Sequence, residues 1–196
     1  RRIIKLQLLV EEEMGERIGS TPMVVPLLET VSKHIRAESI AEAFRVSLLK
    51  NAGVYLEKMR VFLGKSDAAL ENGNLASTLS LTIALSSLAR WSEEAGIQVY
   101  PIIGMGKPPF RGFLHPRYID SWIQSWRGYK TVTIQSALRY NTPYEEYTST
   151  IEKLRDNSGL EPLVLDIDQE KMLRMIIRES AKTYEKRLRS MTSRII

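Results

Sequence analysis

Hydrophobic positions along this chain fall into short continuous runs separated by longer stretches with helical spacing. The runs predict four buried strands, at residues 23–28, 61–63, 99–103 and 131–134. Each run is followed by a stretch in which apolar residues recur every three or four positions, which predicts an amphipathic helix. Strand beginnings recur roughly every 35 residues, a spacing typical of βα units with parallel strands.

Helices are predicted at residues 3–18, 30–49, 75–94, 116–126 and 168–196, with a further helix after residue 142. The first is expected to end at Gly19 and to pack through an apolar stripe of Ile3, Leu6, Val10, Met14 and Ile18. The helix after the fourth strand is expected to begin with a capping box, Thr142 to Glu145, with Pro143 at the first helical position. The last helix places one apolar face along Leu173, Ile176, Ile177, Tyr184, Leu188 and Met191.

Four βα units are compatible with half of a (β/α)₈ barrel or with part of an open doubly wound sheet, and periodicity does not separate the two. Dinucleotide binding is only weakly indicated, because the loop at residues 104–112 contains G-x-G but does not open a helix with a third glycine in register. Both architectures bind ligands at the carboxyl ends of their strands. The residues that follow each strand are therefore the candidates for chemistry.

Composition narrows the class of protein. The chain has 196 residues, enough for one domain with a sizeable core, and it has no cysteine, which excludes disulfides and thiolate metal sites. The net charge of +5 permits an anionic ligand. No apolar run reaches the roughly 18 residues that span a bilayer. Because the chain begins with Arg1 and starts and stops within helix-like sequence, we expect it to be a piece of a longer protein.

The last predicted helix carries a basic face of Arg174, Arg178, Lys182, Arg187 and Arg189. Such a face is most simply a solvated surface or a subunit contact. A non-catalytic basic module that binds nucleic acid is the distant alternative, and its affinity would fall steeply with salt. The sequence contains no recognised nucleic-acid motif.

Polar or charged residues follow all four predicted strands: Glu29, then Ser66 and Asp67, then Arg111 a short loop after the third, then Gln135 and Arg139. In a parallel sheet these residues meet at one edge. Two carboxylates on neighbouring strand ends are a common way to hold Mg²⁺, which keeps water and substrate oxygens in its other positions. Arginines nearby supply permanently charged, planar donors for phosphate or carboxylate. The set is typical of an enzyme for phosphorylated or enolic acids.

Each member of this set also has a purely structural interpretation. Ser66 or Asp67 would serve as the N-cap of the helix that follows. Glu29 would face water, and Arg111 would brace its own loop. Arg139 would pair with Glu145 or Glu146. The functional interpretation rests on all of them occurring together.

Three further segments carry a family resemblance. Residues 62–73 read F-L-G-K-S-D-A-A-L-E-N-G, residues 25–30 read V-P-L-L-E-T, and residues 109–112 read P-F-R-G. Together with T-V-T-I-Q-S-A-L-R-Y at residues 131–140, they resemble the phosphoenolpyruvate carboxylases, and the last segment resembles the archaeal-type enzymes in particular. Their order and spacing agree with that family over most of residues 20–157.

The resemblance implies a function and roles for particular residues. The implied reaction joins bicarbonate to phosphoenolpyruvate, by way of carboxyphosphate and a pyruvate enolate, and gives oxaloacetate and phosphate. Glu29 and Asp67 would be the ligands of a catalytic Mg²⁺ or Mn²⁺. Arg111 and Arg139 would bind the phosphoryl and carboxylate groups, with Gln135 as a further substrate-binding residue. Another Mg²⁺-dependent lyase of phosphoenolpyruvate or pyruvate chemistry is the alternative.

The sequence departs from the bacterial and plant pattern of this family at three positions. Leu70 stands where those enzymes have a lysine, and Ile103 and Met105 correspond to the His and the first Arg of their H-G-R-G loop. Lys65, beside Asp67, is the candidate to supply the missing positive charge as a catalytic residue. A solvated lysine is an equally good interpretation of Lys65.

The resemblance also implies an architecture. Residues 1–160 are expected to form about four βα units of a (β/α)₈ barrel, and residues 161–196 a helical extension. Four units leave open strand edges, so we expect the isolated segment to be inactive and to aggregate or fold poorly. The family resemblance implies a cytoplasmic enzyme that is a homotetramer, with no nucleic-acid or membrane partner.

Overall fold

The computed structural model describes residues 2–15 and 24–192 of the chain. Within these residues, four strands form one parallel sheet in chain order: β1 is Leu27–Leu28, β2 Lys58–Gly64, β3 Gln98–Met105 and β4 Thr131–Ile134. The α/β fold with a parallel sheet is thereby confirmed. Met23 lies outside the described residues, and the first strand is shorter than predicted because only Leu27 and Leu28 pair with β2.

Helices connect and flank the strands. Their bounds are α1 Arg2–Met14, α2 Val31–His34, α3 Ala37–Ala52, α4 Ser66–Asn72, α5 Asn74–Ala95, α6 Ile119–Ser125, α7 Ser136–Tyr140, α8 Tyr144–Asp156 and α9 Ile167–Thr192. Short 3-10 turns occupy Pro109–Arg111 and Pro116–Tyr118. None of the described helices combines the length and the apolar character that crossing a bilayer requires.

Several predicted helices differ from the observed ones. The single helix predicted at residues 30–49 is divided into α2 and α3, and α2 ends at His34, whose ring is buried beneath β1. Neither Ser66 nor Asp67 caps α4, because the helix already begins at Ser66 and its N-cap residue is Lys65. The predicted capping box is also wrong. The cap residue of α8 is Pro143, and the Thr142 hydroxyl is buried without a hydrogen-bond partner among the described residues.

Among the side chains that the structure describes, the apolar stripe predicted for the first helix does not form a packed face. Leu6, Val10 and Met14 are all exposed, and Leu8 is instead the α1 residue that packs against the main core. Ile18 and Gly19 lie outside the described residues. Periodicity identified the helix but not the direction in which it faces, because that direction depends on which partner surface is present.

The main core lies between the sheet and the helices that cover it. Val61, Leu63 and Ile103 of the two central strands pack with Leu88 of α5 and Trp122 of α6, and all five are buried. A second cluster, formed by Val31, Ala68, Ala76, Ile83, Leu165 and Ile177, lies where α9 meets α2, α4 and α5. Burial alternates along β2 and β3, so one face of the sheet is buried and the other is only partly covered, whereas a continuous apolar run predicts burial on both faces.

A charged network, here called the α9 seam, fastens α9 to the body of the protein. Glu170 accepts hydrogen bonds from Arg90 at 2.7 Å and from Arg174 at 2.6 Å. Arg90 also donates to the carbonyl of Leu165, and Arg174 to the carbonyl of Ile35. Burial raises the pKa of Glu170, but the hydrogen bonds and charges of the two arginines outweigh that effect and leave the pKa lowered.

The basic face predicted on α9 is partly neutralised by acidic residues one turn away. Arg174, Lys182 and Arg189 pair with Glu170, Glu179 and Glu185, respectively. Such pairing agrees with a solvated helix surface. The α9 helix packs directly on α5, and the division of the chain at residue 160 stays a prediction.

Candidate active site

A cavity of about 270 Å³ lies at the carboxyl ends of the strands. The parallel register sets Leu28 beside Leu63, Gly64 beside Gly104, and Met105 beside Ile134, so the residues that follow the strands share one edge. The cavity is lined by Glu29, Phe62, Gly64, Lys65, Ser66, Gly104, Met105, Arg111, Thr133, Ile134 and Gln135. Four predicted site residues are therefore brought together: Glu29, Lys65, Arg111 and Gln135.

Glu29 enters this cavity directly from the end of β1. Its side chain lies across Gly64, where a Cβ would be 3.0 Å from the Glu29 Cγ, so a larger residue at position 64 would displace it. Glu29 is half-buried, and among the described residues its carboxylate has no hydrogen-bond or ion-pair partner. A half-buried carboxylate without a partner has lost part of its hydration and is suited to bind a cation or a donor from a ligand.

Arg111 lies across the cavity on a tightly folded loop. The Gly106 amide donates to the Arg111 carbonyl at 2.6 Å, and the Leu114 amide donates to the Gly106 carbonyl at 2.9 Å. The guanidinium lies over the Phe110 ring, 5.4 Å from its centroid. Among the described residues the guanidinium of Arg111 has no hydrogen-bond acceptor, so its donors are available to an anion.

Gln135 contributes a buried acceptor without a partner. Gln135 lines the cavity, and its Oε1, which is shielded from solvent, accepts no hydrogen bond from any described residue. Gly106 makes room for it, because a Cβ at that position would lie 2.6 Å from Oε1. Leaving such an atom buried and unpaired is costly. A ligand or water that donates a hydrogen bond in the cavity would remove that cost.

Lys65 is buried at the base of the cavity, with 1% of its surface exposed. Its Nζ donates to the Asn74 Oδ1 and, at 3.3 Å, to the carbonyl of Pro109. Burial lowers the pKa of Lys65 to about 8, because the charged form is poorly hydrated there. The interpretation of Lys65 as a solvated side chain is therefore wrong.

The structure does not bring Asp67 and Arg139 into the cavity lining. Asp67 is exposed in the first turn of α4, close in sequence to the cavity residues Lys65 and Ser66. The guanidinium of Arg139 is 5.0 Å from the ring centroid of Tyr144 and 5.2 Å from that of Tyr147. These contacts take the place of the ion pair with Glu145 or Glu146 that was the structural alternative. The metal and substrate roles of Asp67 and Arg139 stay predictions.

The donor set at this edge fits a hard divalent cation. Glu29 brings to the cavity a carboxylate without a partner among the described residues, Gln135 lines the same cavity, and Asp67 follows the neighbouring strand. The described residues contain no group of three or more His, Cys, Asp or Glu side chains that could enclose a metal ion. This is compatible with Mg²⁺, which typically takes one or two carboxylates and fills its shell with water and substrate oxygens.

His34 is a residue that the sequence reasoning missed. Its Nε2 lies 3.0 Å from the carbonyl of Leu28, the residue before Glu29, and its Nδ1 lies 3.0 Å from the Ser80 hydroxyl. Because a carbonyl only accepts, Nε2 carries the proton and Nδ1 accepts from Ser80. Burial lowers the pKa of His34 to about 4, so the ring is neutral near pH 7. A lone histidine shortly after an apolar strand was the available signal.

The three positions that depart from the family pattern lie in different surroundings. Ile103 is fully buried in β3, and Met105 is buried against Gly112, where a Cβ would meet its Sδ. Leu70 is exposed, and its carbonyl accepts a hydrogen bond from Tyr184. Ile103 and Leu70 therefore serve the core and the α4 surface, and neither lines the cavity.

Comparison with known proteins gives a consistent family. A family model described as phosphoenolpyruvate carboxylase matches residues 3–196. The chain is 44% identical over 152 residues to a phosphoenolpyruvate carboxylase of Thermofilum pendens, an alignment that covers 77% of the chain and 32% of that protein. The corresponding protein of Leuconostoc mesenteroides is 34% identical over 197 residues, with coverages of 95% and 39%.

A third relative, a phosphoenolpyruvate carboxylase of Caldivirga maquilingensis, is 33% identical over 178 residues, covering 91% of the chain and 34% of that protein. The chain thus spans about a third of the length of the curated relatives it matches. Archaeal proteins are among these relatives, which agrees with the archaeal-type resemblance seen at residues 131–140.

Proposed function

Because this chain belongs to the phosphoenolpyruvate carboxylase family, we propose that it supplies part of the active site of an enzyme that joins bicarbonate to phosphoenolpyruvate, giving oxaloacetate and phosphate. One observation carries the proposal. The cavity at the carboxyl edge of the sheet brings a free carboxylate, a free guanidinium and a buried acceptor together. Two anions meet in this reaction, so their mutual repulsion must be offset. The guanidinium, together with a divalent cation bound by the carboxylate, would supply that positive charge.

Arg111 binds the phosphoryl group in this proposal. Its planar fork can donate two parallel hydrogen bonds to phosphate oxygens, which fixes the orientation of the group as well as its position. The loop that carries it is held by backbone hydrogen bonds at both Gly106 and Leu114. A donor held in place before the reaction stabilises developing charge without a cost of reorganisation.

Gln135 would accept a hydrogen bond from the hydroxyl of bicarbonate. Bicarbonate carries a proton on one oxygen, whereas a fully ionised phosphate does not. A buried acceptor therefore favours the protonated partner and disfavours a second phosphate at the same place. The family resemblance implies that Arg139 would assist with the substrate carboxylates, although its contacts with Tyr144 and Tyr147 favour a structural role.

Glu29 and Asp67 are the residues that would hold Mg²⁺ or Mn²⁺. The cation would supply Lewis-acid stabilisation of negative charge on a substrate oxygen. Glu29 lines the cavity without a partner and follows β1, and Asp67 comes shortly after the adjacent strand β2. The protein's own contribution is to keep one carboxylate half-buried and aimed at the substrate space.

We further propose that the four strands are half of a (β/α)₈ barrel. The sheet is parallel, its strands follow chain order, and β1 and β4 are its edges within the described residues. Additional strands would pair both edges and close the sheet. By family resemblance the complete enzyme would be a cytoplasmic homotetramer, which sedimentation of the purified protein would test.

The direct test is an assay of the complete protein that contains this chain. We expect oxaloacetate to form from phosphoenolpyruvate only when both bicarbonate and Mg²⁺ or Mn²⁺ are present. Glu29→Gln should weaken Mn²⁺ binding, measured by electron paramagnetic resonance in the absence of substrate. Glu57→Gln removes the same charge from an exposed residue just before β2, at the opposite end of the strand, and should leave Mn²⁺ binding unchanged.

Two results would contradict the proposal. Product formation that does not depend on bicarbonate would indicate another lyase of phosphoenolpyruvate or pyruvate. Equal Mn²⁺ binding by the wild-type protein and Glu29→Gln would remove Glu29 from the metal site.

A further inference from the structure

Lys65 is a charged group in an environment that ordinarily excludes one. Only 1% of its surface is exposed, and it forms no ion pair with a described carboxylate. A buried ammonium without a counter-ion is costly unless its hydrogen bonds are made. The atoms that accept those bonds therefore indicate what the lysine does.

The two acceptors of Lys65 belong to separate parts of the chain. One is the Asn74 Oδ1, at the first residue of α5. The other is the carbonyl of Pro109, 44 positions along the chain, at 3.3 Å. Pro109 begins the 3-10 turn that ends at Arg111. Lys65 thus connects the start of α5 to the loop that carries the phosphate-binding candidate.

Asn74 is a firm anchor for this connection. Its own carbonyl accepts hydrogen bonds from the hydroxyls of Ser77 at 2.9 Å and Thr78 at 2.8 Å. The preceding turn is held from α9, because Tyr184 donates to the Leu70 carbonyl at 3.1 Å and its ring lies against Gly73. Joining the loop to this helix start adds a restraint to the loop's own hydrogen bonds.

We propose that Lys65 is a positioning residue, which holds the 104–112 loop to the start of α5 and so keeps Arg111 aimed at the cavity. This inference rests on the proposed function for the part that concerns Arg111. Its structural part stands independently. Lys65 then acts through the loop and not by contact with substrate, although it lines the same cavity.

Hydrogen exchange tests the structural part without any activity. In Lys65→Met, whose side chain fills similar space, the amides of Gly106 and Leu114 should exchange about 10- to 100-fold faster, the factor expected when a hydrogen bond to a charged group is lost. Amides within β2 and α5 should exchange as before. Lys58→Met, at the far end of β2, the strand that Lys65 follows, is the matched control and should leave the loop unchanged.

The variant Asn74→Leu provides a second way to break the connection in case Lys65→Met fails to fold. It removes one acceptor from an exposed residue and should also accelerate exchange in the loop. Asn74→Asp keeps an acceptor oxygen and should restore slow exchange. Unchanged loop exchange in both Asn74→Leu and any folded Lys65→Met would overturn the proposal.

Kinetics of the complete protein test the connection to Arg111. Lys65→Met should lower kcat for oxaloacetate formation about 10- to 100-fold, the cost of a small misplacement of a reacting group. In an Arg111→Lys background the same change should add less than about threefold, because the residue through which it acts is already impaired. An equal fall in both backgrounds would show that Lys65 acts directly or only stabilises the fold, and would overturn the positioning role.

Failure of the proposed function is distinguishable from failure of this inference. If the wild-type protein forms no oxaloacetate, the proposed function fails, and the exchange measurements still decide whether Lys65 holds the loop.

Discussion

The α9 seam and the cavity at the carboxyl edge of the sheet each combine a carboxylate with arginine. In the seam, Glu170 accepts from both Arg90 and Arg174, and each arginine also bonds a backbone carbonyl. In the cavity, Glu29 and Arg111 share the same space, yet neither side chain is ion-paired with a described residue. In the seam, the charged groups bond to one another and to backbone carbonyls. In the cavity, the carboxylate and the guanidinium have no ion-pair partner among the described residues.

The difference distinguishes charged residues that stabilise the fold from charged residues that are available to bind a ligand. A charge whose partners are all in the chain contributes to stability and offers nothing to a ligand. A charge that is held in place and left without a partner is available to a ligand, at some cost to the free protein. The same residue types therefore serve opposite purposes, and substitutions in the two regions should affect different measurements.

The largest expected effect comes from Arg111 in the complete protein. Arg111→Lys keeps the charge but loses the planar fork, so kcat should fall about 10²- to 10³-fold. The midpoint of thermal unfolding should hardly change, because the guanidinium has no hydrogen-bond or ion-pair partner among the described residues, and a lysine ammonium can keep the cation–π contact with Phe110. Arg60→Lys, on an exposed face of β2, is the control. A normal kcat with lowered stability would show that Arg111, like the residues of the α9 seam, stabilises the fold and does not bind substrate.

His34 extends the comparison to a buried polar group just beneath the cavity. Its pKa is about 4 in the folded protein because of burial, whereas a histidine in the unfolded chain titrates near 6.5. Between these values the unfolded chain binds the proton and the folded chain does not. The contribution of His34 to the free energy of unfolding is therefore fully present above pH 6.5, and this free energy falls by about 3 kcal/mol as the pH drops to 4.

Urea unfolding between pH 4 and pH 7 checks this expectation. His34→Gln should lose that part of the pH dependence, and His115→Gln should retain it, because the other histidine of the chain lies on the partly exposed surface at the start of a 3-10 turn. Identical pH profiles for the two variants would show that His34 does not resist protonation.

Substitutions in the α9 seam should lower the free energy of unfolding and leave kcat per folded molecule unchanged. Glu170→Gln removes the charge that both arginines bond, and the free energy of unfolding should fall by about 2 kcal/mol. Glu185→Gln breaks a pair with the same i,i+4 spacing on the same helix, but both partners are exposed, so the fall should be below about 0.5 kcal/mol. A loss of kcat greater than the loss of folded protein would mean that the seam also sets the active site.

The smallest effect is expected at Arg139. Its guanidinium lies over two tyrosine rings, so Arg139→Leu should lower the free energy of unfolding by about 0.5–1 kcal/mol. We expect kcat to stay within about threefold of the wild-type value. The role implied by family resemblance predicts a fall in kcat as large as that of Arg111→Lys. Measuring kcat of both variants together therefore decides whether Arg139 binds substrate or only stabilises the fold.

Local patterns in the sequence predicted most of the strands and helices. Apolar runs such as Val61 to Leu63 made β2 and β3 visible, although burial alternates along both strands. In β4, an edge strand, the threonines are exposed and the apolar residues are half-buried. The residues after those strands were candidates for one edge as soon as the strands were taken as parallel. Helix ends were less well predicted. Thr142 is of a residue type that often caps helices, but the cap residue of α8 is Pro143.

The sequence by itself determined the alternation of parallel strands and helices, the family and four residues of the cavity, because each depends on residues close together in the chain. The order of the strands in the sheet came from the structure. Only the tertiary structure decided which charges are free. Lys65 bonds an oxygen 44 positions away and His34 bonds a hydroxyl 46 positions away, and no local pattern encodes such pairs. Burial and partner geometry, which set the cost of every polar group, arise only when distant segments meet.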